Sequence, residues 1–152
     1  MPYLAINMPL FKHTTTSEAQ TQAVGAQLSE SLQAGDLITL SGPLGAGKTT
    51  FIQGLARGLD VASPVTSPTF VLIIEHEGRL PLLHLDAYRL ETKCYDAIRD
   101  AGVTDFLDRA DAVKLVEWPE RIEDFLPTPR YAITIGYGAA DNERHLEITV
   151  KD

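Results

Sequence analysis

The segment that most constrains the fold of this chain is SGPLGAGKTTF, at residues 41–51. It follows the apolar run DLITL (36–40) and precedes IQGLARGL, which has helical periodicity. The segment matches the spacing G-x-x-x-x-G-K-[S/T] at Gly42, Gly47, Lys48 and Thr49. A chance match is expected in about one of 200 chains of this length. The order strand, glycine loop, helix is the one that a phosphate-binding loop requires.

Each residue type in this loop has a physical role in holding phosphate. Glycines let the backbone curl so that successive N–H groups point at one anion. The helix that we predict from about Lys48 to Leu59 directs the positive end of its dipole to the same point. Lys48 would reach the β- and γ-phosphates, and the Thr49 hydroxyl would ligate Mg²⁺. We therefore predict a triphosphate site rather than a simple glycine-rich turn.

Two acidic residues at predicted strand ends are candidates to complete a magnesium site. Asp86 closes the apolar run LPLLHLD, and Glu117 closes AVKLVE. Because α/β sites lie at the carboxyl ends of buried strands, we interpret both residues as Mg²⁺ ligands, directly or through water. His84 lies two residues before Asp86 and so faces the same side of the strand, where it is either a structural or a catalytic group.

Two further features have open roles. Thr66, Ser67 and Thr69 lie in the proline-stiffened segment TSPTF, which could sense a γ-phosphate or form an ordinary polar turn. Trp118, the only tryptophan, could pack inside the protein or stack on a partner or base.

The whole pattern predicts an α/β fold: a P-loop NTPase-like mixed sheet, with a parallel core and antiparallel strands, flanked by helices in a single domain over 1–152. A capping box at Ser17 and a stop at Gly35 predict a helix over 17–34. Its buried face would carry Ala23, Val24, Leu28 and Leu32. The remaining predicted elements are strands at 70–76 and 80–86, one or two short helices broken near Gly102, a strand at 112–118, and a hairpin of YAITIGY and RHLEITV.

The composition narrows the class of partner. A formal net charge of −8 argues against a protein that grips nucleic acid over a broad face, although a basic partner could do so for it. Cys94 is the only cysteine, so no intramolecular disulfide is possible. The N-terminal segment is a poor signal peptide, and no apolar run approaches the roughly 20 residues of a membrane helix. We therefore predict a cytoplasmic protein.

Three classes of phosphate-binding protein compete on the residues alone. A GTPase normally carries N/T-K-x-D and D-x-x-G elements, and neither occurs in the sequence. A small P-loop kinase, phosphorylating a hydroxylated metabolite, would need an arginine-bearing lid, whereas the arginines here are scattered. An ATP-driven regulatory subunit is the third class. The pattern of residues does not decide between the second and the third.

Four segments carry a resemblance to a known family: GPLGAGKTTF, VTSPTF, HLDAYRL and LVEWPER. Together they resemble the bacterial ATPase subunit of the tRNA threonylcarbamoyladenosine biosynthesis machinery, the TsaE (YjeE) family. The resemblance spans about Ser17 to Arg121, with all four segments in family order. The glycine loop is common to many ATPases, whereas SPTF together with HLDAYRL and VEWPER is much more specific.

The resemblance implies a role for each matching residue. Thr49 and Glu117 would hold Mg²⁺, Asp86 would assist at the metal or at its water, and Thr66 to Thr69 would form a switch-like loop. The implied catalytic residues are Lys48, Thr66, Asp86 and Glu117. The residues implied to bind ATP, with the first two near the adenine, are Ser17, Glu18, Gly42, Leu44, Gly45, Ala46, Gly47, Lys48, Thr49 and Thr50.

The resemblance also implies an activity and partners. The chain would be a Mg²⁺-dependent ATPase, weak alone, acting on a threonylcarbamoyl-transferase complex of two related subunits (TsaB/TsaD type). That complex modifies adenosine 37 of tRNAs that read ANN codons. The tRNA would be held through the complex, and no membrane is involved.

Overall fold

The computed structural model describes residues 10–65, 73–90 and 95–151. The strands in these ranges are β1 (Leu10–Thr15), β2 (Leu37–Ser41), β3 (Ile73–His76), β4 (Leu82–Asp86), β5 (Val113–Glu117), β6 (Tyr131–Tyr137) and β7 (Arg144–Val150). The α-helices are α1 (Glu18–Ser29), α2 (Lys48–Gly58), α3 (Tyr95–Asp100) and α4 (Val103–Leu107). Two 3₁₀ turns follow β5, at Pro119–Arg121 and Glu123–Phe125.

Within the described residues the seven strands form one mixed sheet, in the order β1-β7-β6-β2-β5-β4-β3. The four central strands, β6, β2, β5 and β4, are parallel to one another. The outer pairs are antiparallel. The central strands are apolar because helices cover both of their faces, and all five residues of β5 are buried. The predicted fold class is confirmed.

Residue alternation along the strands assigns side chains to two cores. One core lies between the sheet and the helices α1 and α2, and it contains Leu82, Val113 and Leu115. The other lies on the opposite face, against α3 and α4. Because side chains two positions apart share a face, the polar residues at the ends of β4 and β5 lie on the α2 side.

The first strand was not predicted from the sequence. β1 pairs with β7 from Leu10↔Thr149 to Thr15↔Arg144 and forms an edge of the sheet. Its sequence, LFKHTT, has no clear apolar alternation, and Leu10 and Phe11 are exposed. An edge strand that buries so little leaves no periodic signal to recognise.

The predicted buried face of the first helix is partly wrong. Ala23 is exposed, and the residues that α1 buries are Thr21, Gly25 and Ser29. The reason is a close approach to α2: a Cβ on Gly54 would collide with the backbone of Gln22. Small residues therefore occupy the contact, and apolar periodicity does not detect such a stripe. The helix also ends earlier than predicted.

The other predicted elements match with small shifts of their ends. The break near Gly102 is confirmed, because Gly102 separates α3 from α4 in a left-handed conformation. The C-terminal hairpin of β6 and β7 is confirmed as well. The start of the predicted strand at 70–76 lies outside the described residues. In the described part of the chain, no helix is long and apolar enough to cross a bilayer.

Candidate nucleotide site

The glycine loop connects β2 to α2 at the carboxyl edge of the parallel strands. α2 begins at Lys48, and its N-cap residue Gly47 has a φ of 106°, a conformation that favours glycine. At Gly42 a Cβ would collide with the carbonyl oxygen of Ile135 in β6. The first N–H groups of a helix have no partners within it, so the start of α2 offers donors to an anion.

Lys48 is buried at the mouth of this loop, with an exposed fraction of 6%. Its Nζ donates to the carbonyl oxygen of Gly42 at 2.5 Å and lies 3.7 Å from the ring centroid of Trp118. Burial lowers the pKa of Lys48, and the nearby charges of Glu117, Asp86 and Glu120 oppose that shift. The ammonium group is thus held by a carbonyl and an aromatic face, and three carboxylates are near enough for their charges to act on it.

Asp86 and Glu117 meet at this edge, as their positions in the sequence predict. They are register partners in the parallel pair β4–β5, and Glu117 is also the partner of Leu40 at the end of β2. Asp86 accepts a hydrogen bond from the Tyr88 N–H at 2.9 Å. Burial raises the pKa of Asp86, and the Tyr88 hydrogen bond opposes that change.

His84 is the direct partner of Glu117. The His84 Nε2 lies 2.5 Å from the Glu117 Oε2, and the exposed fractions of these side chains are 1% and 3%. A carboxylate buried this deeply needs a hydrogen-bond partner, and the imidazole supplies it. Within the described ranges the other ring nitrogen, Nδ1, has no partner. Of the structural and catalytic roles left open for His84, the structure shows a structural one: His84 holds Glu117 in place.

Trp118 follows Glu117 in a strained conformation. Its φ of 56° costs a non-glycine residue about 1 to 2 kcal/mol. The turn places the indole against Lys48 and against the ring of Tyr88, at a centroid distance of 4.8 Å. Of the alternatives open for Trp118, this structure shows packing within the protein, at the candidate site itself.

Two cavities flank the loop. One, of about 330 Å³, is lined by the loop, the start of α2 and the ends of β4 and β5, including Gly45, Lys48, Thr49, Asp86 and Glu117. The other, of about 270 Å³, is lined by Ser17, Glu18, Thr21, Gly45, Gly47, Thr50, Asn142 and Arg144. The loop glycines are shared by both, so an elongated ligand can lie across the loop with one end in each cavity.

The residues at the first cavity suit a magnesium ion with its nucleotide. Thr49, Asp86 and Glu117 supply oxygen donors, the ligands that Mg²⁺ prefers. Among the described residues, no group of three or more His, Cys, Asp or Glu side chains could hold a metal ion. A magnesium ion here would therefore take phosphate oxygens and water as its further ligands, which is its usual behaviour beside a nucleotide.

The structure brings most of the predicted site residues together. Leu44, Gly45, Gly47, Lys48, Thr49 and Thr50 line the first cavity, and Ser17 and Glu18 line the second. Gly42 and Ala46 are among the lining residues of neither: the Gly42 carbonyl binds Lys48, and the Ala46 side chain is buried in the core. Thr66, Ser67, Thr69 and Cys94 lie outside the described residues.

Two contacts to the loop were missed. The Tyr137 hydroxyl donates to the Leu44 carbonyl oxygen at 2.5 Å, and the Arg144 Nε donates to the Ala46 carbonyl oxygen at 3.0 Å. Both residues belong to the C-terminal hairpin, which the sequence does reveal. Their contact with the loop depends on the parallel pairing of β6 with β2, and no local pattern in the sequence indicates that pairing.

Comparison with known proteins supports the resemblance found in the sequence. The family model for "Threonylcarbamoyl adenosine biosynthesis protein TsaE" matches residues 15–146. A protein of Bacillus subtilis named "tRNA threonylcarbamoyladenosine biosynthesis protein TsaE" is 41% identical over 143 residues, which cover 93% of this chain and 87% of that protein. A protein of the same name from Nostoc is 41% identical over 130 residues, covering 85% and 79%.

A solved structure is also similar to this chain. The crystal structure of YdiB from Bacillus subtilis matches with a TM-score of 0.75 and 35% identity, over 95% of this chain and 88% of that one. The chain therefore belongs to the TsaE family of threonylcarbamoyl adenosine biosynthesis proteins.

Proposed function

We propose that this chain binds and hydrolyses Mg²⁺-ATP and thereby supports formation of threonylcarbamoyladenosine at position 37 of tRNAs that read ANN codons. The observation that carries the proposal is the convergence of Lys48, Asp86 and Glu117 on one cavity beside the glycine loop. The names of its relatives place the family in this pathway.

The loop and α2 would bind the triphosphate. The backbone N–H groups of the loop and of the start of α2 would face the anionic oxygens, and Lys48 would add a full positive charge at the outer phosphates. The second cavity, at the start of α1, would take the base, with Ser17 and Glu18 beside it. The two cavities, of about 330 and 270 Å³, would together take a nucleotide that lies across the loop.

Glu117, Asp86 and Thr49 would complete the catalytic end of the site. When bound there, Mg²⁺ would neutralise charge that develops on the phosphate oxygens during hydrolysis. His84 holds the Glu117 carboxylate in one position, which limits the reorganisation that the reaction needs. Asp86 would assist at the metal or orient its water. The switch-like role of Thr66 to Thr69 stays a prediction.

The proposal includes a partner complex of the TsaB/TsaD type. The chain would act on this complex and leave threonylcarbamoyl transfer and tRNA binding to it. Its net charge of −8 supports that division, because a broad tRNA contact needs clustered positive charge. We further propose that the chain works as one domain in the cytoplasm.

The decisive experiment measures ATP turnover by the purified chain, alone and after addition of the two transferase subunits from the same organism. We expect weak Mg²⁺-dependent turnover alone, stimulation by the subunits, and loss of both in Lys48→Ala. If the rate of ATP turnover did not change on addition of the subunits but rose with a small hydroxylated metabolite, a kinase would be favoured instead. The absence of ATP binding would overturn the proposal altogether.

A further inference from the structure

The C-terminal hairpin makes contacts with the glycine loop that the proposed function does not use. Tyr137 ends β6 and Arg144 begins β7, and the two residues are cross-strand partners next to the turn of the hairpin. Each donates one hydrogen bond to the loop: Tyr137 to the Leu44 carbonyl and Arg144 to the Ala46 carbonyl. Two donors from one hairpin thus hold alternate peptide units of the loop.

These bonds fix the direction of two amide groups. In a planar trans peptide the N–H points opposite to the C=O. The Leu44 carbonyl belongs to the same peptide as the Gly45 N–H, and the Ala46 carbonyl to the same peptide as the Gly47 N–H. Carbonyls turned towards the hairpin therefore turn both glycine N–H groups away from it. In the described part of the chain neither N–H donates a hydrogen bond, so both are available to a ligand.

Contacts within the hairpin tie its turn to its strands. The Gly138 N–H donates to the Glu143 carbonyl at 2.9 Å, which closes the turn. The Arg144 guanidinium donates from its terminal nitrogen to the Asp141 and Glu143 carbonyls and packs 4.9 Å from the Tyr137 ring centroid. Arg144 therefore ties the turn, the partner strand and the loop together.

The fit between hairpin and loop is close. A Cβ placed on Gly45 would lie 3.0 Å from the Tyr137 hydroxyl, and one placed on Gly42 would collide with the Ile135 carbonyl of the same strand. Arg144 also lines the second cavity, beside Glu18 and Asn142. The hairpin thus forms one wall of the site as well as a support for the loop.

We propose that Tyr137 and Arg144 are positioning residues for phosphate binding, which hold the Gly45 and Gly47 N–H groups in the orientation that a triphosphate requires. The inference rests on the proposed function, since it names residues that act through the same loop. A free loop would lose conformational entropy each time it bound phosphate, and a loop held by the hairpin has already lost it.

Calorimetric titration with Mg²⁺-ATP and with Mg²⁺-tripolyphosphate, which has no base, tests this role. We expect Tyr137→Phe to bind both ligands about fivefold more weakly, the effect of one hydrogen bond. The matched control is Tyr131→Phe at the other end of β6, which should bind within about twofold of the parent. Unchanged affinity in Tyr137→Phe would overturn the inference, as would a loss confined to ATP, which would indicate the base cavity.

A second variant tests whether the pair acts as a unit. Arg144→Lys keeps the charge but cannot donate to three carbonyls in the same fork geometry, so we expect about tenfold weaker binding of both ligands. The double variant should be little weaker than Arg144→Lys alone, because both residues act through one loop. Fully additive losses would contradict a shared mechanism.

Amide NMR shifts in the nucleotide-free protein separate this inference from the proposed function. In Tyr137→Phe we expect the Gly45 amide signal to move and the thermal midpoint to stay within about 2 °C of the parent. An unmoved Gly45 signal would overturn the inference even if ATP binds. If the Gly45 signal moves in Tyr137→Phe but the parent protein binds no ATP, only the proposed function is overturned.

Discussion

Two clusters in this molecule have the same charges and different surroundings. The buried cluster, at the carboxyl edge of the parallel strands, consists of Lys48 and Glu117, which are buried, and Asp86, which is half-buried. The surface cluster consists of Arg109, Glu75 and Asp111, with exposed side-chain fractions of 36%, 47% and 61%. Each therefore sets one cation beside two carboxylates.

The clusters differ in how their charges are satisfied. In the surface cluster Arg109 donates two hydrogen bonds to each carboxylate, and those bonds lower the pKa of Glu75 and of Asp111. In the buried cluster Lys48 donates to a backbone carbonyl, and burial raises the pKa of Asp86. The surface charges are paired with each other, whereas in the buried cluster Lys48 donates to the Gly42 carbonyl and Glu117 is bound by His84, not by Lys48.

This difference supports the proposal that the buried cluster, and not the surface cluster, acts on a ligand. Charges that are satisfied by their neighbours gain little from a ligand, and solvent screens them. A buried charge without a direct ion pair carries an unfavourable desolvation energy, which a bound ligand of opposite charge can offset. Each position in one cluster also supplies a control for the corresponding position in the other.

The largest expected effect is that of Lys48→Ala on nucleotide affinity. Because Lys48 is the buried cation nearest the predicted phosphate position, we expect binding of a fluorescent ATP analogue to weaken by about 30- to 100-fold. Arg109→Ala is the matched control and should bind with the parent's affinity. If Lys48→Ala and the parent bound the analogue with equal affinity, the glycine loop would not be the nucleotide site.

The next largest effect is that of Glu117→Gln on hydrolysis. The amide keeps the shape of the side chain and an oxygen for His84, but it loses the negative charge that Mg²⁺ needs. We expect turnover to fall by about 100-fold while ATP affinity changes by less than about threefold. Glu75→Gln should leave turnover unchanged. A parallel loss of affinity and turnover in Glu117→Gln would show that Glu117 serves binding rather than the reaction.

Much of this arrangement could be predicted from the sequence, for identifiable reasons. The loop spacing determines Gly47 and Lys48 locally, and buried apolar runs locate Asp86 and Glu117 at strand ends. The contact of Tyr137 with Leu44 could not be predicted, because it depends on which strands become neighbours. The same holds for the partnership of His84 with Glu117, which joins residues 33 positions apart. Local signals predict elements, whereas contacts between elements require the pairing order of the sheet.

Replacing an aspartate by asparagine should have a smaller effect, which we expect on the thermal midpoint measured without nucleotide or Mg²⁺. The sign of the change should be opposite in the two clusters. The pKa of Asp86 is raised on folding, so its contribution to stability is present below its unfolded pKa and lost as pH rises through the folded value. At pH 7 the ionised group therefore destabilises the fold. We expect Asp86→Asn to raise the thermal midpoint by a few degrees at pH 7 and by nothing near pH 3.

The surface counterpart should behave in the reverse way. The pKa of Asp111 is lowered, so its contribution is present above its unfolded pKa and lost as pH falls through the folded value. Asp111→Asn should therefore lower the midpoint slightly at pH 7. Calorimetry at pH 7 measures the change in thermal midpoint for both variants. If Asp86→Asn and Asp111→Asn changed it in the same direction, the distinction between the buried and the surface cluster would be wrong.

The smallest expected effect is that of Arg109→Gln on stability. The guanidinium lies at the surface, where water and salt screen its attraction to Glu75 and Asp111, so we expect the thermal midpoint to fall by no more than about 2 °C at low ionic strength. At 1 M salt the screening length shrinks to about 3 Å, and the difference should shrink with it. The comparison fails if the loss persists unchanged in high salt, because Arg109 would then stabilise the fold through packing of its stem and not through its charge.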